Sequence, residues 1–166
     1  TKSTGSRHTV EKIGGTSMSN YLAVRDNIIL KPESRGSLYQ RIFVVSAYGG
    51  VTNDLLEHKK SGKPGIYSLF ASGKNDDGWR QATSQLSKRL HEINASLFEE
   101  RGLLDQANQF IDARLDFATQ CLTDLQSLCR HGHFALSEHL ETVQEMLASL
   151  GESHSAWNTA MLLRRD

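Results

Sequence analysis

The sequence is poor in cysteine and has no long apolar run. Two cysteines, Cys121 and Cys129, fall eight positions apart in one helical pattern, which separates them by about 12 Å along a continuous helix. Because a disulfide needs α-carbons within roughly 7 Å, we expect two buried free thiols, as is typical of a reducing cytoplasm. No apolar stretch approaches the roughly 18 residues of a membrane-spanning helix, so no membrane partner is expected.

An excess of charge of either sign is also missing. Lysine and arginine total 19, aspartate and glutamate total 19, and the formal net charge is zero. A neutral chain gives no electrostatic reason to expect nucleic acid as a partner. Residues 1–7 are polar and lack the apolar core of a secretory signal, and we interpret them as a flexible lead-in to one domain at 8–166.

Two strands are indicated, and both are early in the chain. They are His8–Ile13 and Gln40–Ser46, and in the second the apolar run Arg41–Ser46 is short enough for a buried parallel strand. A helical stretch at about Ser19–Leu30 lies between them and ends near Pro32, because a proline disfavours helical geometry in the residue before it. This order predicts a parallel βαβ unit, and therefore an α/β fold class.

The rest of the chain is expected to be mostly helical. A short helix is predicted at about Thr52–Lys60, with Thr52 or Asn53 as its N-cap, and Ile66–Ala71 is either a short helix or a turn. Apolar residues then recur three or four positions apart over 79–97, 104–129 and 136–150, which is typical of amphipathic helices packed on a core.

Helix ends are indicated where a cation is followed by glycine. Arg101-Gly102 and Arg130-His-Gly132 both fit C-terminal ends. Ser153–Arg165 continues the helical pattern, and the sequence contains no third strand signal. The chain is thus predicted to be a helix-rich fragment with about two parallel strands.

Two glycine turns with hydroxyl residues follow the predicted strands. They are Lys12-Ile-Gly-Gly-Thr-Ser17 and Val45-Ser-Ala-Tyr-Gly-Gly-Val-Thr-Asn53. Glycine lets the backbone approach an anion closely, and N–H groups that open the next helix point toward it. The sequence therefore predicts that both turns converge on a phosphate, with Lys12 as a mobile cation beside the first turn.

The candidate phosphate ligands are residues of these two turns. The first turn offers backbone N–H groups and hydroxyls, and the second offers a possible anion nest; the residues are Lys12, Gly14, Gly15, Thr16, Ser17, Gly49 and Gly50. Each also has an ordinary structural interpretation. Lysines are commonly solvated, glycine pairs form plain turns, and threonine and serine cap helices.

The turns resemble the motifs of aspartate kinases, in the amino-acid kinase superfamily. Val10-Glu-Lys-Ile-Gly-Gly-Thr-Ser17 resembles their opening K-F-G-G-T-S motif, with Ile13 where the family usually has phenylalanine. Val44–Leu56 is similar to the second motif, V-V-S-A…T-x-x-L, and Ser149-Leu-Gly-Glu152 is similar to the third, S-x-G-E. The three motifs occur in the family's order, and the resemblance covers about residue 10 to the end.

The resemblance implies an architecture. It identifies the chain as the N-terminal part of a catalytic domain with the three-layer αβα fold of amino-acid kinases, and residues of about 79–148 as a helical insertion. The rest of that domain, and the C-terminal ACT domains usual in the family, would lie outside this sequence. A cytoplasmic homo-oligomer is also implied.

The resemblance further implies a reaction. The γ-phosphoryl group of ATP, which carries Mg²⁺, would pass to the side-chain carboxylate of L-aspartate and give 4-phospho-L-aspartate. This is the first step of aspartate-family amino acid or ectoine biosynthesis, and segments 11–19 and 40–48 are also similar to aspartate kinases encoded with ectoine-synthesis enzymes. A carboxylate is ionised at neutral pH, so the reaction needs positioning and charge neutralisation rather than a general base.

Individual roles are carried over from the family motifs. Lys12 would neutralise charge between the β- and γ-phosphates. Ser46, Thr52 and Glu152 match positions that hold aspartate: Glu152 suits the ammonium group, and the two hydroxyls suit the carboxylates. Gly151 would let a ligand approach the helix closely. Alternatively, Thr52 is a helix cap and Glu152 an ordinary surface carboxylate.

Other interpretations stay open at this point. The chain could belong to another amino-acid kinase with a different carboxylate substrate, or it could be a non-catalytic helical module that self-associates. A fragment of this length is expected to be inactive alone. No protein ligand for a metal is assigned, and His131-Gly-His133 is expected to be a solvent-exposed or capping pair rather than a zinc site.

Overall fold

The structure is a computed structural model that describes residues 8–31, 40–73, 77–132 and 134–166. The predicted lead-in at 1–7 lies outside the described residues, as does His133 of the histidine pair. The described residues form two strands and a set of helices, so the α/β, helix-rich class is confirmed.

The sheet consists of two parallel strands. β1 (Thr9–Ile13) pairs with β2 (Arg41–Val45), in a register that runs from Thr9 opposite Arg41 to Ile13 opposite Val45. The parallel pairing predicted from the βαβ order is therefore confirmed.

The helical stretch between the strands is present, but it is broken. It contains α1 (Gly15–Met18) and α2 (Tyr21–Val24), and α2 runs directly into a π-helical segment, Arg25–Ile29. The break occurs at Asn20, whose side-chain oxygen accepts a hydrogen bond from the N–H of Ala23 at 3.3 Å and caps α2.

The two faces of the sheet differ. Partners in a parallel pair point to the same side, so Val10, Lys12, Ile42 and Val44 share one face. The three apolar side chains of this face are 67%, 51% and 49% exposed, in chain order. The opposite face, with Ile13, Phe43 and Val45, packs on the hydrophobic core.

The helices after the sheet follow the predicted apolar periodicity. They are α3 (Val51–Leu55), α4 (Ile66–Ala71), α5 (Gly78–Leu97), α6 (Arg101–Arg130), a 3₁₀ turn at Leu136–Glu138, and α7 (Leu140–Arg165). Their buried faces enclose the core against the inner face of the sheet; this core includes Val51, Leu55, Phe70, Trp79, Leu90, Ile111, Leu122 and Leu147.

Two helix boundaries differ from the prediction. α3 ends at Leu55 instead of Lys60, and its N-cap is Gly50 in the left-handed conformation, so neither Thr52 nor Asn53 caps it. Arg101 begins α6 and does not end a helix. The preceding helix stops because Phe98 leaves the helical conformation to become buried, at 2% exposure, in a second small core.

Other expectations hold with one adjustment. Arg130 ends α6, and Gly132 follows with a φ of +78°, as the cation–glycine pattern predicts. Cys121 and Cys129 lie in the same helix as free thiols, but they are half-buried instead of buried. Among the described helices, none combines the length and the apolar character that crossing a membrane requires.

Candidate functional site

The first glycine turn follows β1 and presses on the second turn. A Cβ atom on Gly15 would lie 2.6 Å from the carbonyl oxygen of Ala47, so the backbones approach too closely for any other residue. Gly14 is the N-cap of α1 with ordinary φ and ψ of −75° and 159°, and a Cβ there would meet nothing within 4 Å. Gly15 is thus required by the close packing of the two turns, while Gly14 borders open space.

Ser19 joins the two turns, and the sequence reasoning did not assign it. Its Oγ accepts a hydrogen bond from the N–H of Gly49 at 3.0 Å and donates one to the carbonyl of Gly15 at 3.3 Å. The only local indication of its role in the sequence is that Ser19 is a hydroxyl residue two positions after Ser17, in the same turn-forming segment. Its partner across the fold cannot be read from local spacing.

Ser46 lies at the end of β2, where three elements meet. Its N–H donates to the carbonyl of Ile13 at 3.0 Å, which extends the sheet by one bond. Its carbonyl accepts a hydrogen bond from the Oγ of Ser155 in α7 at 2.8 Å. The residue is half-buried, and within the described residues its hydroxyl has no protein partner.

The packing around Gly151 shows that the expected close approach of a ligand to the helix at this glycine is wrong. Gly151 is buried, and a Cβ there would lie 2.9 Å from the Cβ of Ala47 and 3.2 Å from Cγ1 of Val51. The space beside this glycine is therefore filled by the protein and is not available to a ligand. The close packing places the next residue, Glu152, beside the second turn, with an exposed side chain.

The remaining predicted residues are exposed around these turns. Lys12 is paired with Val44 in the sheet register, two positions before Gly14. Thr52 lies in the first turn of α3 and is exposed. Thr16 and Ser17 lie in the four-residue α1, which has no side-chain cap, so neither caps that helix.

The second turn is contacted by a cation from α5 that the sequence did not predict. Arg89 of α5 donates from Nη2 to the carbonyl of Gly49 at 2.7 Å and forms an ion pair with Asp54. Because the N–H of Gly49 already bonds Ser19, the predicted anion nest has one of its donors in use. Arg89 lies beside the apolar stripe of α5, where nothing in the periodicity distinguishes it from a solvated residue.

A buried polar cluster lies beneath the second turn. His154 donates from Nε2 to Oδ1 of Asn94 at 2.7 Å, and Asn158 donates to the same oxygen at 2.8 Å. All three residues are fully buried. The ring of Tyr48 packs edge-on against His154, with ring centroids 5.4 Å apart, so the cluster supports the turn from below.

Burial keeps this cluster uncharged. It lowers the pKa of His154 to about 4, with a smaller contribution from the charge of His91. Burial also raises the pKa of Tyr48 to about 12. Within the described residues, Nδ1 of His154 has no hydrogen-bond partner, so a proton added there would be buried without an acceptor.

The site as a whole is a shallow junction of glycine turns, a strand end and a long helix. The structure brings Gly15, Ser46, Gly49 and Gly151 into one packed unit, around which the exposed candidates are arranged. Within the described residues, no group of three or more histidine, cysteine, aspartate or glutamate side chains is placed to hold a metal ion.

Comparison with known proteins identifies a class of protein that this chain resembles. The chain is similar to an aspartate kinase over nearly its whole length, which confirms the resemblance seen in its motifs. The relative is Aspartate kinase Ask_Ect of Stutzerimonas stutzeri (strain A1501), with 54% identity over 158 residues, or 95% of this chain. The chain spans about a third of that relative's length (33%). No protein-family model and no solved structure matches the chain significantly.

Proposed function

We propose that this chain forms part of an aspartate kinase, an ATP:L-aspartate 4-phosphotransferase. The single observation that carries the proposal is the 54% identity to Aspartate kinase Ask_Ect over 95% of the chain. The proposal includes the amino-acid kinase fold, with residues of about 79–148 as its helical insertion, in a cytoplasmic homo-oligomer. The relative's name supports the ectoine-linked subgroup.

The phosphate side of the site is assigned to the first turn. Gly14 borders open space at the end of β1, which is the room that a polyphosphate needs to approach the backbone. Lys12 is exposed two positions earlier, and a flexible ammonium can neutralise charge on the β- and γ-phosphates. Thr16 and Ser17 are exposed hydroxyl donors in α1, while Gly49 and Gly50 belong to the second turn.

The aspartate side is assigned to the second turn and α7. Ser46 has a hydroxyl without a protein partner in the described residues, and Thr52 is exposed, so both are available as donors to carboxylates. Glu152 is exposed, and its carbonyl and that of Ser46 both accept hydrogen bonds from the Oγ of Ser155. Its carboxylate is proposed to supply the negative charge that a substrate ammonium requires. Its position is fixed by the packing of Gly151 on Ala47.

The chemistry needs orientation more than proton transfer. An oxygen of the ionised aspartate side chain attacks the γ-phosphorus, the bond to the β–γ bridging oxygen breaks, and ADP leaves. Since no proton is removed from the nucleophile, the chain's contribution is to hold the two anions together and to offset their repulsion. Mg²⁺ is proposed to arrive with ATP, because it prefers phosphate oxygens and water as ligands.

The test is substrate profiling of the protein expressed from its complete coding sequence. ADP release would be measured with L-aspartate, L-glutamate, D-aspartate and N-acetyl-L-aspartate, and the acyl phosphate would be trapped with hydroxylamine. We expect activity with L-aspartate and much weaker activity with the N-acetyl derivative, which lacks the ammonium group. Residues 1–166 alone are expected to be inactive.

Two outcomes would contradict the proposal. A higher kcat/KM for another carboxylate would assign the chain to a different amino-acid kinase. Tight self-association in sedimentation, without any response to ATP or L-aspartate in titrations of the complete protein, would favour a non-catalytic module.

A further inference from the structure

Arg89 of the helical insertion holds the turn that carries a proposed substrate ligand. Its guanidinium contacts the turn at two places: Nη2 bonds the Gly49 carbonyl at 2.7 Å, and Nη1 pairs with the Asp54 carboxylate. These two contacts lie on either side of Thr52 in the chain. The side chains of Arg89 and Asp54 are 41% and 37% exposed, so the pair is partly shielded from water.

The turn has a shape that fits this guanidinium. Gly50 has a φ of +82°, which other residues rarely adopt, and a Cβ there would lie 2.8 Å from Nη2 of Arg89. The glycine therefore provides both the left-handed backbone and the space for the arginine.

Apolar packing fixes the inner side of α3, where Val51 and Leu55 are fully buried, but it does not reach the exposed side that carries Thr52. This helix has only five residues and no side-chain cap, so it has little intrinsic stability. A cavity of about 150 Å³ separates part of the turn from α5, lined by Ser19, Tyr48, Gly49, Arg89, Ile93 and Ser96 among others. On this side of the turn, the side-chain hydrogen bonds among the described residues are those of Ser19 with the Gly49 N–H and of Arg89 with the Gly49 carbonyl and Asp54.

We propose that Arg89 is a positioning residue for the substrate amino acid. By holding Gly49 and Asp54, it fixes the backbone between them and so orients Thr52 toward the substrate carboxylate. This inference rests on the proposed function, since Thr52 is a substrate ligand only if the chain binds L-aspartate. It gives the helical insertion a direct part in substrate binding.

The experiment compares Arg89→Met, Arg89→Lys and Arg80→Met in the protein expressed from its complete coding sequence. Methionine keeps most of the stem and removes the donors, and lysine can serve one partner but lacks the fork that reaches two. Arg80 is the matched control, since it lies in the same helix and has its own contacts, with Asp77 at 3.4 Å and Thr123 at 3.0 Å.

We expect Arg89→Met to raise the KM for L-aspartate about tenfold, which corresponds to the loss of one charge-assisted hydrogen bond. The KM for ATP should change less than about twofold by the same scale, and Arg89→Lys should fall between wild type and Arg89→Met. Arg80→Met should leave both constants near wild type. Hydrogen exchange of the amides at 49–55 should be faster in Arg89→Met than in the wild type, and unchanged in Arg80→Met.

The outcomes separate the inference from the proposed function. If the wild-type protein phosphorylates L-aspartate but Arg89→Met leaves its KM for aspartate unchanged, the positioning role is wrong. Equal changes in both KM values, or an equal effect of Arg80→Met, would show a general structural role instead. If the wild-type protein has no aspartate kinase activity, the proposed function fails. Independently of activity, hydrogen exchange at 49–55 that is the same in Arg89→Met as in the wild type would show that Arg89 does not restrain the turn.

Discussion

Gly15 packs directly against the backbone of Ala47: a Cβ atom on Gly15 would lie 2.6 Å from the Ala47 carbonyl oxygen. We expect Gly15→Ala to lower the free energy of unfolding by roughly 1–3 kcal/mol, the usual cost of forcing an extra carbon into a packed region. Urea denaturation followed by circular dichroism would measure it.

Gly14→Ala is the matched control for that substitution. Gly14 has a φ of −75° and open space around the position of a Cβ, so alanine there should leave stability within about 0.5 kcal/mol of wild type. If the open space is the approach path of a phosphate, the same variant should bind ATP more weakly. Equal stability losses in both variants would contradict the different surroundings of the two glycines.

Lys12→Ala is expected to lower the kcat of the complete enzyme by about 10²–10³, by analogy with the loss of one preorganised electrostatic group. The physical reason is that the ammonium neutralises charge on the transferring phosphoryl group. Steady-state kinetics would measure it, with Lys88→Ala as a control for another exposed lysine of the described chain. Near-normal turnover in Lys12→Ala would remove this lysine from the mechanism.

Glu152→Gln is expected to raise the KM for L-aspartate about tenfold or more, because the substrate ammonium loses its charged partner. The KM for ATP should be nearly unchanged. Glu145→Gln, at another exposed position of α7, supplies the control. An unchanged KM for aspartate in Glu152→Gln would show that the ammonium binds elsewhere.

The stability of the fold should fall as the pH drops from 6.5 toward 4. The folded state holds His154 at a pKa of about 4, below the ordinary value of 6.5, so only the unfolded chain takes up a proton at this position in that range. The contribution is complete above pH 6.5 and decreases to its minimum near pH 4, by about 3 kcal/mol in total.

Unfolding free energies at pH 7.5 and 5.0 would measure most of this dependence. His154→Gln should reduce the difference between the two values, while His8→Gln, an exposed position, should keep it. Aspartate and glutamate contribute little above pH 5, since their ordinary pKa values are near 4. A pH dependence that is identical in wild type and His154→Gln would refute the assignment.

Local sequence signals predicted most of the fold. The periodic stretches that became α5, α6 and α7 were recognisable because each pattern reflects one buried face. The apolar run that became β2 correctly indicated a strand, but the strand is not buried on both faces, because Ile42 and Val44 are about half exposed. The errors occurred where tertiary packing overrides local preference. Phe98 ends α5 by becoming buried, and Gly50 rather than Thr52 opens α3 because the turn fits Arg89.

The site was predictable only where its residues are close in sequence. The glycine turns were visible as motifs, and their convergence followed from parallel strands. Ser19 and Arg89 were missed because their partners lie 30 and 40 residues away, at Gly49. Gly151 was recognised as unusual, but its reason is contact with Ala47 and Val51, which only the packed structure reveals.

The outer face of the sheet has a consequence for Lys12. Its stem emerges among Val10, Ile42 and Val44, three apolar side chains that are about half or more exposed. Any layer of protein that covers those neighbours would also remove water from around the ammonium, and charges attract more strongly in a medium of low polarity. The affinity of Lys12 for an anion would then depend on what lies over the sheet as well as on the turn that follows it.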